Sequence, residues 1–422
     1  FIRLMPDEAR AAARTAEAEF AAGRIAGPMQ GIAFGLKDII DLQGVATTCH
    51  SKIFADHVAT SDADVTRRLK ASGGVPFGKL ATHEFAIGGP SFDLPWPPAV
   101  NPWGGAHFPG GSSSGSGVAV TSGMLPAALG TDTGGSVRNP ASMCSIVGMK
   151  ATYGRVSRAG VFPLAYSLDH VGPMTRTVAD NAVLLQVLAG HDPGDPASAD
   201  VTVPDFSAEI GMDLKGLTIG HVRHFYDGDE TAHPEMAAAV EKAAETLREL
   251  GADVREIRLA PLQDYATCNR TIIGAEAYAI HRRFLQERPG DYGELGRQRI
   301  LNGAGITAAD YIDALRWRAR LTAETQAAMA GLDCILTASS LDPAPRLDDA
   351  EGNARTYPRQ CRQPFNVTGQ PALAMPAGFS SDGLPLSFQL AGHPWGEARI
   401  YRIAHAFEQA TGYFKQHPPG LD

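Results

Sequence analysis

The sequence predicts an α/β protein with a parallel or mixed sheet. The segment GLTIGHV at 216–222 is typical of a buried strand, and DVREIRL at 253–259 of a second one. Between them, HPEMAAAVEKAAETLRELGA at 233–252 has the apolar spacing of an amphipathic helix that Gly251 closes. This order is a βαβ unit. The 422 residues are 44% hydrophobic and 20% charged, which supplies enough apolar material for a large core.

The other elements follow from the same patterns. Further helices are predicted at 7–22, at DADVTRRLKASGG (62–74), after Gly117, through most of 265–330, and from Gly396 to Thr411. Further strands are predicted at the start of GIAFGLKDIIDLQGVAT (31–47), with Lys37 just behind the strand, and at the end of GVAVTSGMLPAALGTDTGG (117–135), where the strand enters the Ser136 loop. Strands are also predicted at VPFGKLAT (75–82), DCILTA (333–338), PALAMPAG (371–378) and PLSFQLAG (385–392). The aromatic, proline-rich stretch 85–108 has neither the apolar spacing of a helix nor the alternation of a strand. It therefore predicts a long ordered loop of functional importance. Residues 191–216 are the most linker-like in the chain.

Charge and cysteine content exclude several classes of protein. A net charge of −9 argues against nucleic acid or an anionic membrane as the main partner, since both require a basic surface. The longest apolar runs are far shorter than a membrane span. The five cysteines are odd in number, scattered and without a CxxC pair, which favours reduced thiols in a cytoplasmic protein. Cys144, among apolar residues, is expected to be a buried structural thiol.

Several common site motifs are absent from this sequence or incomplete in it. The run GSSSG at 111–115 matches a nucleophile elbow in letters, but a loop precedes it instead of a strand. It lacks the Lys-Ser/Thr of a phosphate loop, and Val120 stands where a dinucleotide fingerprint needs its third glycine. Taken alone, the run is equally typical of a flexible linker. His221 and His224, and the incomplete motif at His83–Glu84, predict ordinary histidines and no metal site.

Two Gly/Ser runs together indicate a catalytic serine. PGGSSSGSG (109–117) and GTDTGGSVRNP (130–140) each place glycines directly before a serine, Ser112 or Ser136. One predicted helix and one predicted strand separate them, so both serines return to the same end of the sheet. The backbone amides of Thr133, Gly134 and Gly135 are spaced to face a point in front of Ser136, as in an oxyanion hole.

The second run also contains a charged pair. Asp132 and Arg138 are expected to be structural, through an ion pair or loop hydrogen bonds.

A nucleophilic serine needs a base, and neither run contains a histidine. A desolvated lysine is the economical alternative, because burial favours the neutral amine. Lys37 stands alone in an apolar strand end, where an ammonium would be costly. On these grounds Lys79 and Lys150 are rivals.

The three segments together resemble one enzyme family. GGSSSGSG, then GTDTGGSVRNPA, with GIAFGLKDI 75 positions before Ser112, is similar to the amidase signature family. That family includes fatty acid amide hydrolase, malonamidase, aryl and peptide amidases, and the A subunit of glutamyl-tRNA amidotransferase. Residues 149–180 and 365–392 also resemble it, so the likeness spans nearly the whole chain.

The resemblance implies a fold and a set of roles. The fold is a mixed, twisted sheet covered by helices on both faces, in one domain over 1–422, without cofactor. Its signature core is 26–190, its linker-like surface stretch 191–216, and its remaining sheet and substrate-side helices 217–422. The implied catalytic residues are Lys37 as base, Ser112 as bridging serine after a cis peptide bond from Gly111, and Ser136 as nucleophile. Gly111 and Ser113 are supporting residues, and Ser113 is expected either to hydrogen-bond Lys37 or to be an ordinary loop serine.

The expected substrate is a small neutral amide or carbamate with an apolar or aryl group, with no nucleic acid or membrane partner. This expectation rests on the aromatic loop and on the lack of an evident cationic clamp for a carboxylate. The predicted pocket residues are Phe85, Gly88, Phe92 and Trp96. The alternatives are the glutamine-hydrolysing component of an amidotransferase, which hands ammonia to a second protein, an esterase or carbamate hydrolase, and a non-catalytic binding protein. A homodimer is one expected assembly.

Overall fold

In the computed structural model, which describes residues 1–421, one mixed sheet runs through the molecule in the order β1-β3-β2-β4-β6-β5-β10-β11-β9-β7-β8. The strands are β1 Arg3–Leu4, β2 Ala33–Lys37, β3 Val75–Leu80, β4 Ala127–Asp132, β5 Val147–Lys150, β6 His170–Thr175, β7 Thr218–His221, β8 Asp253–Glu256, β9 Cys334–Ala338, β10 Ala372–Phe379 and β11 Pro385–Gly392. Parallel and antiparallel pairs both occur, and the predicted fold class is confirmed.

Helices flank this sheet. They are α1 Pro6–Ala21, α2 Asp64–Ala71, α3 Ser114–Thr121, α4 Arg138–Met143, α5 Val178–Leu188, α6 Pro234–Glu249, α7 Leu262–Glu287, α8 Glu294–Leu301, α9 Ala308–Ala328, α10 Ala350–Thr356, α11 Gln363–Val367 and α12 Glu397–Thr411. Within the part of the chain that the structure describes, none of them is long and apolar enough to cross a membrane.

Most predicted elements are confirmed, including the βαβ unit, in which β7 and β8 pair in parallel with Ile219 opposite Val254. Lys37 differs slightly, because it is the last residue of β2 instead of following the strand. The stretch 191–216 contains neither helix nor strand. Its two flanking halves share one sheet through the pairing of Ala372 with Lys150, which supports the prediction of a single domain.

The sheet topology positions the two serine runs. Strands β2 and β4 are parallel neighbours, with Leu36 opposite Leu129, so their carboxyl ends lie side by side. The first run leads into α3, which begins at Ser114, and the second joins β4 to α4. A small apolar cluster that includes Val120, Ala128 and Ala141 packs these two helices against the sheet. Cys144 belongs to this cluster and is fully buried, as predicted.

Candidate active site

The amine of Lys37 is the centre of a buried hydrogen-bond cluster at the end of β2. Its Nζ lies 2.7 Å from Ser112 Oγ and 2.7 Å from Thr131 Oγ1. Lys37 and Ser112 are fully buried, and Thr131 is nearly so. The fold therefore brings together a lysine and a serine that lie 75 positions apart in the chain.

The two rival lysines are engaged elsewhere. Lys79 Nζ forms a fully buried ion pair with Asp38 Oδ1 at 3.0 Å. Lys150 donates to two backbone carbonyls. Among the three candidates, Lys37 is the lysine that donates to Ser112.

The electrostatic surroundings favour a neutral Lys37. Burial lowers the pKa of this amine to about 7, because the interior disfavours the ammonium form. The negative charges of Asp169 and, to a smaller extent, of Asp132 act in the opposite direction and raise the pKa of Lys37. Burial also holds the pKa of the neighbouring His83 well below its usual range. The neutral amine is therefore available as a general base near neutral pH.

The backbone before Ser112 is held tightly. The Gly111–Ser112 peptide bond is cis, which confirms the expectation from the resemblance. A Cβ atom on Gly111 would lie 2.0 Å from the His83 ring, so a larger residue would displace the ring. This close approach explains the glycine directly before the serine.

The neighbouring Ser113 has a different role from the one predicted. Its Oγ accepts from the Thr131 amide at 3.1 Å and donates to the Thr131 carbonyl at 3.3 Å. The predicted hydrogen bond from Ser113 to Lys37 is therefore wrong, since this hydroxyl is committed to the backbone of β4. Ser113 fastens the first serine run to the strand that leads into the second.

Ser136 lies in the wall of a 410 Å³ cavity, which we call the Ser136 cavity. The residue is 7% exposed. The amide of Ser113 donates to the Ser136 carbonyl at 3.2 Å, so a direct hydrogen bond joins the two serine runs. Ser136 is thus tied by its backbone to the residue that follows Ser112, and it borders a cavity that a ligand could occupy.

Asp132 organises the loop between β4 and α4. Its carboxylate accepts from the amides of Gly135 at 2.8 Å and Val137 at 3.2 Å, and pairs with Arg138 at 3.0 Å. Burial alone would raise its pKa, but the Arg138 guanidinium holds the pKa of Asp132 well below its usual range. The predicted structural role of Asp132 and Arg138 is confirmed.

The same contact changes the predicted oxyanion hole. The Gly135 amide is bound to Asp132, so the prediction that it faces a substrate oxygen is wrong. The amides of Gly134 and Ser136 donate to no protein acceptor within residues 1–421. Gly135 serves the loop through its conformation instead. Its φ is +126°, and a Cβ there would lie 2.5 Å from Arg362 Nε.

The hydroxyl of Thr133 connects this loop to Asp169. Thr133 Oγ1 donates to Asp169 Oδ1 at 2.6 Å, and the amides of Leu164 and Ala165 donate to Oδ2 at 2.9 and 3.0 Å. Burial raises the pKa of Asp169 to about 6, against the opposing effect of the Thr133 hydrogen bond. Asp169 and Thr131 also line a second cavity of 670 Å³. The carboxylate therefore supports the loop and lies near Lys37.

The structure separates the four predicted pocket residues. Gly88 lines the Ser136 cavity, as predicted. Phe85 is fully buried among other rings of the core, Phe92 is 68% exposed on the surface, and Trp96 packs its edge against His50. None of these three rings forms part of the cavity wall. The prediction is wrong for them, because Phe85 and Trp96 pack against rings from other parts of the chain and Phe92 faces solvent.

Two arginines line the Ser136 cavity. Arg299 donates to the Gly88 carbonyl, and its guanidinium lies 5.5 Å from the Tyr357 ring centroid. Arg270 makes only a 3.4 Å hydrogen bond to Thr267 Oγ1. No carboxylate within residues 1–421 lies within 4.0 Å of either guanidinium. The wall of this cavity therefore contains two cationic side chains, which were not anticipated from the sequence.

Sequence reasoning missed Thr131 and the two cavity arginines for different reasons. The position of Thr131 depends on the sheet topology, because the end of β4 lies beside Lys37 only when β2 and β4 are parallel neighbours. Arg270 and Arg299 lie on α7 and α8, more than a hundred positions from Ser136, and no local pattern separates them from the other arginines of these helices.

A sequence model of the amidase family matches residues 1–401. The chain belongs to the amidase family. The resemblance in the two serine runs is confirmed, and this amidase is an enzyme that acts on amide C–N bonds.

Two curated relatives carry the same name. The glutamyl-tRNA(Gln) amidotransferase A subunit of Moorella thermoacetica is 40% identical over 98% of this amidase and 89% of the relative. The protein of the same name from Geobacter metallireducens is 40% identical over 99% and 90%. These likenesses cover nearly the whole amidase.

Solved structures show the same fold. A structure described as a vestigial protein complex that reveals the origins of an s-triazine catabolic enzyme superposes with a TM-score of 0.91 at 31% identity, covering 98% of this chain and 91% of the other. The peptide amidase of Stenotrophomonas maltophilia superposes with a TM-score of 0.86 at 30% identity, covering 100% and 90%. The mixed sheet with flanking helices is therefore shared with known amidases.

Proposed function

We propose that this amidase hydrolyses a small amide that carries a carboxylate, through an acyl-enzyme on Ser136. The observation that carries the proposal is the pair of arginines, Arg270 and Arg299, that share a cavity wall with Ser136 and form no ion pair with a carboxylate of residues 1–421. Arginine binds carboxylates with fork geometry, and two uncompensated guanidinium groups favour an anionic ligand.

In the proposed mechanism, neutral Lys37 accepts the proton of Ser112, and Ser112 takes the proton of Ser136 as Ser136 Oγ attacks the amide carbon. The C–O bond forms and the carbonyl oxygen becomes an oxyanion. Ser112 then returns a proton to the leaving nitrogen, the C–N bond breaks, and ammonia or an amine departs. A water molecule then attacks the acyl carbon and gives a proton to the same relay, the bond from Ser136 Oγ to the acyl carbon breaks, and the relay returns the proton to Ser136 as the carboxylic acid leaves.

The amides of Thr133, Gly134 and Ser136 form the proposed oxyanion hole, since Asp132 occupies the Gly135 amide. Each such donor contributes on the order of 3 kcal/mol to transition-state stabilisation. Asn269 Nδ2 donates to the Thr133 carbonyl at 3.1 Å, which helps to hold the loop.

The second candidate function is glutamine hydrolysis as one component of an amidotransferase. The 40% identity over 98% of the chain to the A subunit of a glutamyl-tRNA(Gln) amidotransferase favours it. Glutamine is itself a small amide with a carboxylate, so both candidates use the same arginines. The two differ in assembly: an amidotransferase component requires a partner protein for its biological role, and a stand-alone enzyme acts as a monomer or homodimer. Turnover of succinamate by the purified chain alone, faster than that of glutamine, would favour the first candidate.

Arg299→Gln is expected to raise KM for succinamate about 10- to 100-fold, because it removes a charge-assisted hydrogen bond to the substrate carboxylate. Butyramide, which lacks the carboxylate, is expected to show no such change. Steady-state kinetics on both substrates measure the effect. Arg297→Gln is the control, since Arg297 lies on the same helix, pairs with Glu294 and is outside the cavity wall. Equal effects of Arg299→Gln on the two substrates would contradict the carboxylate proposal.

Asp169→Asn is expected to move the acid limb of kcat/KM to lower pH. The Asp169 carboxylate raises the pKa of Lys37, so its neutralisation lowers that pKa, and the active neutral amine persists to lower pH. A pH profile of kcat/KM measures the shift. Asp205→Asn, which removes an exposed carboxylate that bonds Ser207 and leaves Asp169 intact, serves as control. An acid limb that stays in place or moves to higher pH in Asp169→Asn would contradict the relay.

A further inference from the structure

A buried carboxylate, that of Glu84, joins a loop beside the Ser136 cavity to the start of α8. Glu84 is 2% exposed. Its Oε2 atom accepts from the Gly293 amide at 3.0 Å, and its Oε1 atom accepts from the Ser51 hydroxyl at 2.7 Å. Burial raises the pKa of this carboxyl to about 7, and the two hydrogen bonds act in the opposite direction. A carboxylate is costly to bury, and here two donors and a helix N-terminus stabilise it.

The other end of α8 contacts the same loop, which comprises residues 84–88. Arg299, in the last turn of the helix, donates to the Gly88 carbonyl and lines the Ser136 cavity. Between these two contacts the loop and the helix lie close together. A Cβ on Gly296 would lie 2.5 Å from Glu84 Oε2, and a Cβ on Gly88 would lie 3.4 Å from Gly296 Cα. The position of α8 therefore depends on the 84–88 loop at both ends of the helix.

The 84–88 loop is itself held in one conformation. Phe85 and Ala86 have φ values of +48° and +62°, in the left-handed region that is costly for residues other than glycine. The fully buried ring of Phe85 packs against the His281 ring, with centroids 4.5 Å apart. This turn lets Glu84 contact α8 while the residues from Ala86 to Gly88 line the cavity. The carboxylate is thus a fixed point against which the helix is placed.

We propose that Glu84 is a positioning residue that holds the Arg299 guanidinium in its place in the Ser136 cavity, by fixing α8. This inference rests on the proposed function, in which Arg299 binds the substrate carboxylate. Without the Glu84 contact, α8 shifts relative to the loop. A displaced guanidinium then binds the carboxylate less well, because a charge-assisted hydrogen bond depends on distance and angle. A substrate without a carboxylate does not depend on this position.

Two substitutions of one glycine isolate the contact. Gly293→Pro removes the N–H group that Glu84 accepts from, and Gly293→Ala keeps it. The backbone suits proline, since the φ of Gly293 is −66° and the preceding Tyr292 is extended with a ψ of 150°. A Cβ at this position would lie 3.2 Å from Asp93 Oδ1 and from Leu94. Both variants share that contact, and they differ at the hydrogen bond to Glu84.

The KM for succinamate is expected to be about tenfold higher in Gly293→Pro than in Gly293→Ala, which is the effect of weakening one charge-assisted hydrogen bond. The KM for butyramide, and kcat for both substrates, should be similar in the two variants. In the Arg299→Gln background, Gly293→Pro is expected to cause no further rise, because the side chain that α8 positions is absent. Steady-state kinetics give these values, and thermal unfolding of each variant checks the fold.

Glu84→Gln tests the same contact from the loop side. It keeps the side-chain volume and replaces charge-assisted hydrogen bonds by weaker neutral ones. The KM for succinamate is therefore expected to rise about threefold, with that for butyramide unchanged. This variant decides the inference if Gly293→Pro does not fold.

The outcomes separate this inference from the function on which it rests. Equal rises in KM for the two substrates, no rise for succinamate, or a full additional rise in the Arg299→Gln background would overturn the positioning role of Glu84. The carboxylate proposal survives each of these results as long as Arg299→Gln alone raises the KM for succinamate. If Arg299→Gln leaves that KM unchanged, the proposed function fails and the inference fails with it.

Discussion

Ser136→Ala is expected to lower kcat/KM for amides by about four to six orders of magnitude. Removal of the nucleophile eliminates the acyl-enzyme route, and the remaining cavity and oxyanion donors supply only residual catalysis. Ser136 is the expected nucleophile because it borders a ligand cavity and follows Gly134, whose amide has no protein acceptor within the described residues. Amide hydrolysis with the purified variant measures the loss.

A covalent probe distinguishes the serines. A fluorophosphonate is expected to label Ser136, and peptide mass locates the adduct. Ser113→Ala is the control, since its hydroxyl is bound to the backbone of Thr131 and is expected to support folding more than chemistry. Labelling of Ser112 or Ser113 in wild-type protein, with Ser136 unmodified, would contradict the assignment.

Lys37→Ala is expected to remove most amidase activity, and the wild-type pH profile is expected to report this lysine. Burial lowers the pKa of Lys37 to about 7, and the deprotonated amine is the base. The kcat/KM value should therefore rise with pH through about 7 and level off on the alkaline side, with activity lost toward acid. Esters are expected to lose less than amides in Lys37→Ala, because an alkoxide leaves with less need for a proton.

Lys37→Arg tests whether the lysine acts by proton transfer or by charge alone. A guanidinium keeps its proton throughout this pH range, so the variant is expected to be as inactive as Lys37→Ala. Thermal unfolding of both variants, compared with wild type, serves as the control for folding. Near wild-type amide hydrolysis in Lys37→Arg would show that another group accepts the proton of Ser112.

Local patterns in the sequence determined the elements and the chemistry of the chain. Apolar spacing was sufficient for the βαβ unit at 216–259 and for the strand that ends at Lys37, because burial selects the side chains of one face. The glycines before Ser112 and Ser136 indicated a serine relay, since both positions require a close backbone approach that a side chain would block. These features depend on residues that lie close together in the chain, so the sequence alone is sufficient to predict them.

Only the tertiary structure decided which distant groups complete the site. Thr131 is hydrogen-bonded to Lys37 because two strands far apart in the sequence are parallel neighbours in the sheet. Asp132 accepts a hydrogen bond from the Gly135 amide because the loop folds back on itself. The arginines of the proposed carboxylate site lie on α7 and α8, whereas Phe85 packs in the core and Phe92 is exposed to solvent. Substrate recognition depends on side chains from separate helices and loops, and the packing of these elements on the sheet determines which of them line the cavity.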